Sequence, residues 1–387
     1  MKKNRLVSNL VGKTSKNILR GLKYHSSKVL NKPQDLTFLV YSVTRKCNSR
    51  CVMCNIWKDE YYQELALQEI KNILCGAFFS KLKYVNLTGG EPFLRKDLAE
   101  IASIFGELPH LKAIQIPTNG FLTRRIVETT DSILRQLSPN IYLSISVSID
   151  GDESIHDKIR GTKGAYDKAT KTLQQLQSIE DSRLIVGVAT TVSRANIYSI
   201  EEIYNHLKNL SDHVGFYPAI SSSSFYRNEN NEAVQKDSLY IQKAIQFFSL
   251  IRDNEPEHAF YYDEIVNILQ TGIRSFECLA GQKTAYLSAD GELFPCLMLS
   301  DKEGYSFGSP LGGKAIEAWK GTEGSLIRKK LINNPVCSRC SLSCDLINNL
   351  NEEFFEMAFF YLKNPRISIN LLNDIRQNKI KSKNLSE

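Results

Sequence analysis

The chain has 387 residues, 42% of them hydrophobic and 24% charged, with a formal net charge of +7. That length admits one large domain plus a smaller one, and the composition is that of a globular chain rather than a disordered or fibrous one. No apolar run is long enough to span a bilayer, no apolar core with a cleavage site marks the start, and the nine cysteines lie mainly in two groups. Together these predict a cytoplasmic protein that uses its thiols for metal rather than for disulfides.

Residues 1–34 carry nine Lys or Arg and no Asp or Glu, with Leu6, Leu10, Val11, Ile18 and Leu22 on one face at helical spacing. Such a segment can dock on an anionic membrane surface or an acidic substrate, or can be a basic arm with neither role. From residue 38 to about 220 strand and helix patterns alternate. Strands are expected at 38–44, 84–88, 112–117, 141–149, 184–192 and 213–219, with amphipathic helices near 63–76, 96–107, 122–137, 165–179 and 198–210. Repeated units of this kind build a parallel sheet wrapped by helices, as an open sheet or a barrel.

The loop leaving the first expected strand reads Arg45-Lys-Cys-Asn-Ser-Arg-Cys-Val-Met-Cys-Asn-Ile-Trp57. Cys47, Cys51 and Cys54 have C-x3-C-x2-C spacing, one thiolate short of the four that close a zinc or iron–sulfur site. Three thiolates can hold a cluster with one iron left for an outside ligand. A structural zinc, or thiols with no metal, stays open at this point. One strand later comes Gly89-Gly90-Glu91-Pro92, two glycines that let backbone approach a ligand and a carboxylate that can accept from an ammonium group.

In that order, the two motifs resemble the radical S-adenosylmethionine (SAM) superfamily. The resemblance implies an α/β fold, a partial (β/α)6 TIM-like barrel, whose C-terminal strand ends face the active site. It implies that Cys47, Cys51 and Cys54 hold a [4Fe–4S] cluster, and that Gly89, Gly90 and Glu91 hold the SAM amino group. Met53 stands where the family often has an aromatic residue near the adenine. Asn119, in Pro117-Thr-Asn-Gly120, can reach a SAM polar group or form an ordinary Asn-Gly turn. In Ser144-Ile-Ser-Val-Ser-Ile-Asp150 the residues Ser146, Ser148 and Asp150 share one face, which suits ligand contact better than core packing. The run from Ser148 to Gly161 resembles a loop of peptide- and sugar-modifying members. This puts Ser148 near SAM and Arg160 near its carboxylate. His156 reads as a capping or packing histidine, and Cys75 as core.

Residues 221–233 are polar and aperiodic, a loop or linker, followed by helical patterns at about 236–253 and 260–271. Cys278 then precedes a hairpin over 284–296 with an Asp290-Gly291 turn, which ends at Cys296, and Cys337, Cys340 and Cys344 follow. This pattern resembles the auxiliary-cluster domains called SPASM and twitch. It implies a small C-terminal cysteine-rich hairpin/helix domain with a second [4Fe–4S] cluster. Cys278, Cys296, Cys337 and Cys340 are the expected ligands and Cys344 is the alternative; a four-cysteine zinc site stays open. The expected domains are therefore 1–34 basic segment, 35–220 core, 221–272 linker and helices, 273–345 auxiliary domain and 346–387 helical tail. Within the tail, Phe354–Leu362 is an apolar helix expected to pack on the barrel or between domains, and the last ten residues are expected to fray.

The resemblance implies reductive cleavage of SAM to a 5′-deoxyadenosyl radical, which takes a hydrogen atom from a substrate. An auxiliary cluster points to oxidative modification of a peptide or of a small alcohol or sugar. The implied partners are that substrate and an external electron donor such as flavodoxin or ferredoxin. A zinc-stabilised binding protein and a nucleic-acid-modifying enzyme are the rival classes. The second is disfavoured because no RNA-binding module is recognisable and the basic residues gather at one end.

Overall fold

The computed structural model describes residues 33–59, 63–276, 278–343 and 354–384. The basic segment up to residue 32 and Cys344 lie outside the described residues. The chain divides into two units: a larger one of Pro33–Tyr240 with Leu279–Leu331, and a smaller one containing Ile241–Cys278 and the residues from Ile332 onward.

In the larger unit six parallel strands stand side by side in chain order: β1 (Phe38–Thr44), β2 (Tyr84–Gly89), β3 (Ala113–Thr118), β4 (Tyr142–Ser148), β5 (Leu184–Val192) and β6 (Val214–Pro218). Between them run α1 (Leu67–Leu74), α2 (Leu98–Gly106), α3 (Thr123–Gln136), α4 (Glu153–Arg160), α5 (Ala165–Gln177) and α6 (Ile200–Lys208). Every expected strand is present, within a residue or two of its expected bounds. The first helix is shorter than its pattern, and Cys75 follows it as an exposed cap residue, not as core. Helix α4 forms where only a loop was expected. Asp152 caps its start by accepting from Ile155 N–H at 2.9 Å, and Gly161 closes its end in the left-handed conformation.

Period-2 alternation sorts the sheet into two faces. Leu87, Ile114, Ile116, Leu143, Ile145 and Val147 are buried on one. Tyr41, in register with Leu87, meets Phe105 of α2 across 6.1 Å, so this is the helix-covered face. The other face carries Ser42 and Thr88 in register, then Asn86, Gln115 and Ser144 in a row, then Pro117 and Ser146. This face carries mostly hydroxyl and amide side chains.

The expected hairpin exists as β7 (Thr284–Leu287) and β8 (Leu293–Phe294), with Gly291 at a φ of 87° in its turn. It does not stand apart in an auxiliary domain. β7 pairs in parallel with β1, Phe38 opposite Thr284, and so satisfies the edge that an open six-stranded sheet leaves unpaired. This unit also holds α7 from Ser238, which runs on to Asn254 in the smaller unit, and α9 (Lys314–Lys320) and α10 (Thr322–Ile332) follow the hairpin.

The smaller unit contains α8 (Ala259–Thr271), α11 (Pro335–Ser338), α12 (Phe354–Lys363) and α13 (Pro365–Asn384). The apolar tail helix α12 packs on α8: Phe360 meets Phe260 across 5.5 Å, and Tyr361 Oη donates to Pro256 O at 2.8 Å. Its other side leaves Phe359 and Leu362 exposed. The tail expected to fray is helical to Asn384. Among the described residues no helix is long and apolar enough to cross a membrane.

Candidate metal and cofactor site

The loop after β1 carries Cys47, Cys51 and Cys54, and neighbouring elements hold its backbone. On one side it meets the glycine turn. Gly90 N–H donates to Thr44 O at 2.9 Å and Glu91 N–H to Lys46 O at 2.8 Å. A Cβ on Gly89 would lie 1.9 Å from Thr44 O, and one on Gly90 2.2 Å from Lys46 O. Only glycine permits that approach. On another side stands the end of α4: Arg50 N–H donates to Arg160 O at 3.1 Å and Val52 N–H to Ile159 O at 2.8 Å. Gly161 belongs to the same contact, since a Cβ there would meet Arg50 O at 2.5 Å. Within the loop, Trp57 Nε1–H donates to Cys54 O at 2.9 Å, and the Arg50 guanidinium lies over the indole at 4.6 Å.

The Ser49 backbone lies toward Cys47 Sγ and the Ile56 backbone toward Cys54 Sγ, each favouring the thiolate. Cys51 Sγ has Ser49 Oγ at 3.1 Å and Arg160 Nη1 at 3.6 Å. Burial pushes the Cys47 thiol up to about 11 and the Cys54 thiol up to about 12, against those backbone hydrogen bonds. A bound cation would lower both again by taking the thiolate charge. Three thiols on one loop, the Arg160 guanidinium beside Cys51 and the glycine turn packed on that loop fit the [4Fe–4S] group that the motif implies. Among the described residues no three His, Cys, Asp or Glu side chains converge on a single ion. In a cluster each thiolate takes a different iron, so one point of convergence is not required.

The polar residues expected to meet SAM also brace one another. Glu91 is almost wholly buried. Its carboxylate accepts from Thr118 Oγ1 at 2.9 Å, Phe93 N–H at 3.2 Å and Asn119 N–H at 2.7 Å. Burial pushes that carboxyl up to about 7 despite those hydrogen bonds. One of its four acceptor positions is left. Asn119 forms the Asx turn, its Oδ1 accepting from Phe121 N–H at 3.0 Å, and its amide donates to Asn48 Oδ1 in the cysteine loop at 2.7 Å. Turn and tie are thus one residue.

Arg160 Nε donates to Asp150 Oδ2 at 2.7 Å while its other arm reaches Cys51. Asp150, expected to share a face with Ser146 and Ser148, has both carboxylate oxygens engaged within the protein. It is fully buried, and its Oδ1 accepts from Thr191 N–H at 2.9 Å. Ser148 ends β4, half-buried on the polar face with Ser146. Met53 is packed with Ile159, Ala219 and Val234. His156 is a packing residue as expected: buried, its Nδ1 accepting from Asp150 N–H at 3.1 Å. Desolvation, then the Arg160 charge, hold its imidazole down at about 4.

Several residues of this site carry no motif. Asn48, Asp59, Thr118, Asn228 and Asn231 act through contacts that cross more than the local sequence; the one hint is the amide-rich run Asn228-Glu-Asn-Asn231. Asp59, nearly buried, pairs with Arg45 just before the cysteines and with Arg227 from the segment after β6.

The second cysteine group is divided. Cys296 is buried in the larger unit after β8. Cys278, Cys337 and Cys340 belong to the smaller unit, where Arg274 N–H donates to Ser338 O at 2.7 Å and so laces the approach to Cys278 onto α11. Leu342 N–H points at Cys340 Sγ at 3.4 Å.

Comparison with known proteins finds a likeness over part of the chain. Residues 41–207 match the model of the radical SAM superfamily. The chain is 30% identical over 216 residues to Fe-coproporphyrin III synthase of Methanosarcina barkeri (strain Fusaro / DSM 804), covering 55% of this chain and 50% of that protein. It is 25% identical over 259 residues to the antilisterial bacteriocin subtilosin biosynthesis protein AlbA of Bacillus subtilis (strain 168), covering 67% and 54%. The chain thus spans about half the length of these curated relatives. Its fold is like that of anSMEcpe with bound AdoMet and Kp18Cys peptide, with a TM-score of 0.58 at 15% identity over 88% of this chain and 99% of that one.

Proposed function

We propose, from the match of residues 41–207 to the radical SAM superfamily model, that this chain is an enzyme of that superfamily that cleaves SAM reductively to modify a peptide. The carrying observation is the cysteine loop itself: three thiols on one loop, the Arg160 guanidinium beside Cys51 Sγ, and a glycine turn against the loop that admits no side chain. When bound, the cluster and SAM supply one-electron cleavage and a 5′-deoxyadenosyl radical that removes a substrate hydrogen atom. Cys47, Cys51 and Cys54 would hold the cluster. Gly89, Gly90, Glu91, Asn119, Ser148 and Arg160 would surround SAM, with the glycine turn giving backbone access to its amino group.

The peptide reading draws on AlbA, a bacteriocin biosynthesis protein, and on anSMEcpe, whose structure holds a peptide. The open polar face of the sheet supports it, because small hydroxyls and amides leave room for an extended chain. A second cluster on Cys278, Cys296, Cys337 and Cys340, with Cys344 as alternative, would accept an electron or anchor the substrate. An external flavodoxin or ferredoxin would supply the first electron. The test is anaerobic reconstitution followed by iron, sulfide and 5′-deoxyadenosine assays with reductant and SAM. Zinc without sulfide, or no 5′-deoxyadenosine, would reject the enzyme reading.

A further inference from the structure

The segment after β6, residues 220–234, has the composition of a linker but the burial of a core element. Ser222, Ser224, Phe225, Asn228 and Val234 are all buried. Its amide side chains point at the cysteine loop. Asn228 Nδ2 donates to Met53 O at 2.7 Å and to Ile220 O at 3.0 Å, while its Oδ1 accepts from Ser222 N–H at 2.8 Å. Asn231 Nδ2 donates to Val52 O, and its Oδ1 accepts from Ala233 N–H at 2.9 Å. In return, Asn55 donates its N–H to Tyr226 O at 2.9 Å and its side-chain amide to Arg227 O at 2.8 Å. The peptide groups on both sides of Cys54 are therefore oriented by this one segment.

Backbone geometry agrees. Arg227 lies in the left-handed region with φ at 49°, which a non-glycine residue keeps only where its surroundings hold it. Here the holders are both in the cysteine loop: Asn55 on its carbonyl and Asp59 on its guanidinium.

We propose that residues 220–234 are a strap that fixes the cysteine loop around Cys54, with Asn228 and Asn231 as positioning residues. This rests on the reading of Cys47, Cys51 and Cys54 as a cluster site. The physical link is short. The Asn231 and Asn228 amides hold the Val52 and Met53 carbonyls, and the Tyr226 and Arg227 carbonyls hold Asn55, so the peptides that flank Cys54 are fixed on both sides. Hydrogen bonds to ligand sulfur tune the potential of an iron–sulfur cluster, and the partners of ligands orient them. Removing the Asn228 amide leaves the Met53 and Ile220 carbonyls without their donor and frees the loop to turn.

The experiment compares wild type, Asn228→Ala, Asn231→Ala, Ser224→Ala and Cys51→Ala as full chains reconstituted anaerobically. The readouts are iron content, midpoint potential, the electron paramagnetic resonance change on adding SAM, and melting temperature. Ser224 is the control. It is buried in the same strap, but its hydroxyl donates to Met298 O at 3.3 Å, away from the cysteine loop. Asn228→Ala and Asn231→Ala should bind iron with a shifted potential, and should need about tenfold more SAM for the spectral change, the scale of a lost ligand partner. Ser224→Ala should lower the melting temperature yet keep the wild-type potential and SAM response. Wild-type potential and SAM response in both asparagine variants would overturn the strap. So would the same spectral shift in Ser224→Ala. If Asn228→Ala does not fold, Asn231→Ala decides alone. Wild-type iron content and SAM response in Cys51→Ala would instead sink the cluster reading, and the strap with it.

Discussion

The two cysteine groups are built in opposite ways. Cys47, Cys51 and Cys54 lie on one loop, and the glycine turn, the end of α4, Asn119 and the segment after β6 all bond to that loop. Cys278, Cys296, Cys337 and Cys340 come from separated segments, and the two units divide them. The first group is thus organised before any metal arrives. The chain itself satisfies the backbone of the loop, so ligand geometry is fixed by hydrogen bonds that do not involve metal. The second group depends on parts that must first be assembled. A preorganised triad suits a site that must leave one iron open and hold its neighbour in a set geometry. A dispersed set suits a closed cluster, in which all positions are filled by thiolates.

The largest effect should break or confirm that division. Cys51→Ala should abolish 5′-deoxyadenosine formation, whereas Cys278→Ala or Cys296→Ala should keep it while losing product. A triple Cys47, Cys51, Cys54→Ala chain should retain about four irons, as one four-thiolate cluster requires. Iron and sulfide content with both assays would measure this. A triple variant without iron removes the second cluster.

Next come the glycines. Gly90→Ala forces a Cβ onto the Lys46 carbonyl and should cost about 3 kcal/mol or more, read from denaturant midpoints. Gly164 has a φ of 71° but nothing within 4 Å, so Gly164→Ala should cost only its backbone strain, about 1 kcal/mol. Equal costs would mean that the tight approach to the cysteine loop is not what selects glycine.

His156 sharpens the comparison through pH. Its folded value of about 4 is depressed below the ordinary 6.5, by desolvation first. Below pH 6.5 the unfolded chain binds a proton that the fold does not, so stability falls as pH drops from 6.5 towards 4. The loss should reach about 3 kcal/mol near pH 4. His156→Gln should flatten that slope in denaturation curves between pH 4 and 7; an unchanged slope would show that the imidazole is not the titrating group. The smallest effect belongs to the exposed α3 pair Arg135 and Asp131, 2.7 Å apart. Asp131→Ala should change stability by no more than about 0.5 kcal/mol. A loss as large as that at Gly90 would show that this exposed pair is not a weak surface contact.

Sequence alone determined the parts whose physics is local. Strands appear wherever β-branched and aromatic residues alternate, and C-x3-C-x2-C and Gly-Gly-Glu are each legible because the residues within each motif are near neighbours in the chain. Glu91 and Asn119 were legible as site residues, but not as partners of each other. Tertiary structure decided what composition concealed. The polar run 221–233 reads as a linker because its side chains are those of solvent-exposed loops. Only folding reveals that Asn228 and Asn231 are spent on the carbonyls of Met53 and Val52, about 175 residues earlier in the chain. The hairpin reads as a separate module because its own pairing is local. It joins the main sheet because β1 offers an unpaired edge, and an edge cannot be read from either sequence segment alone.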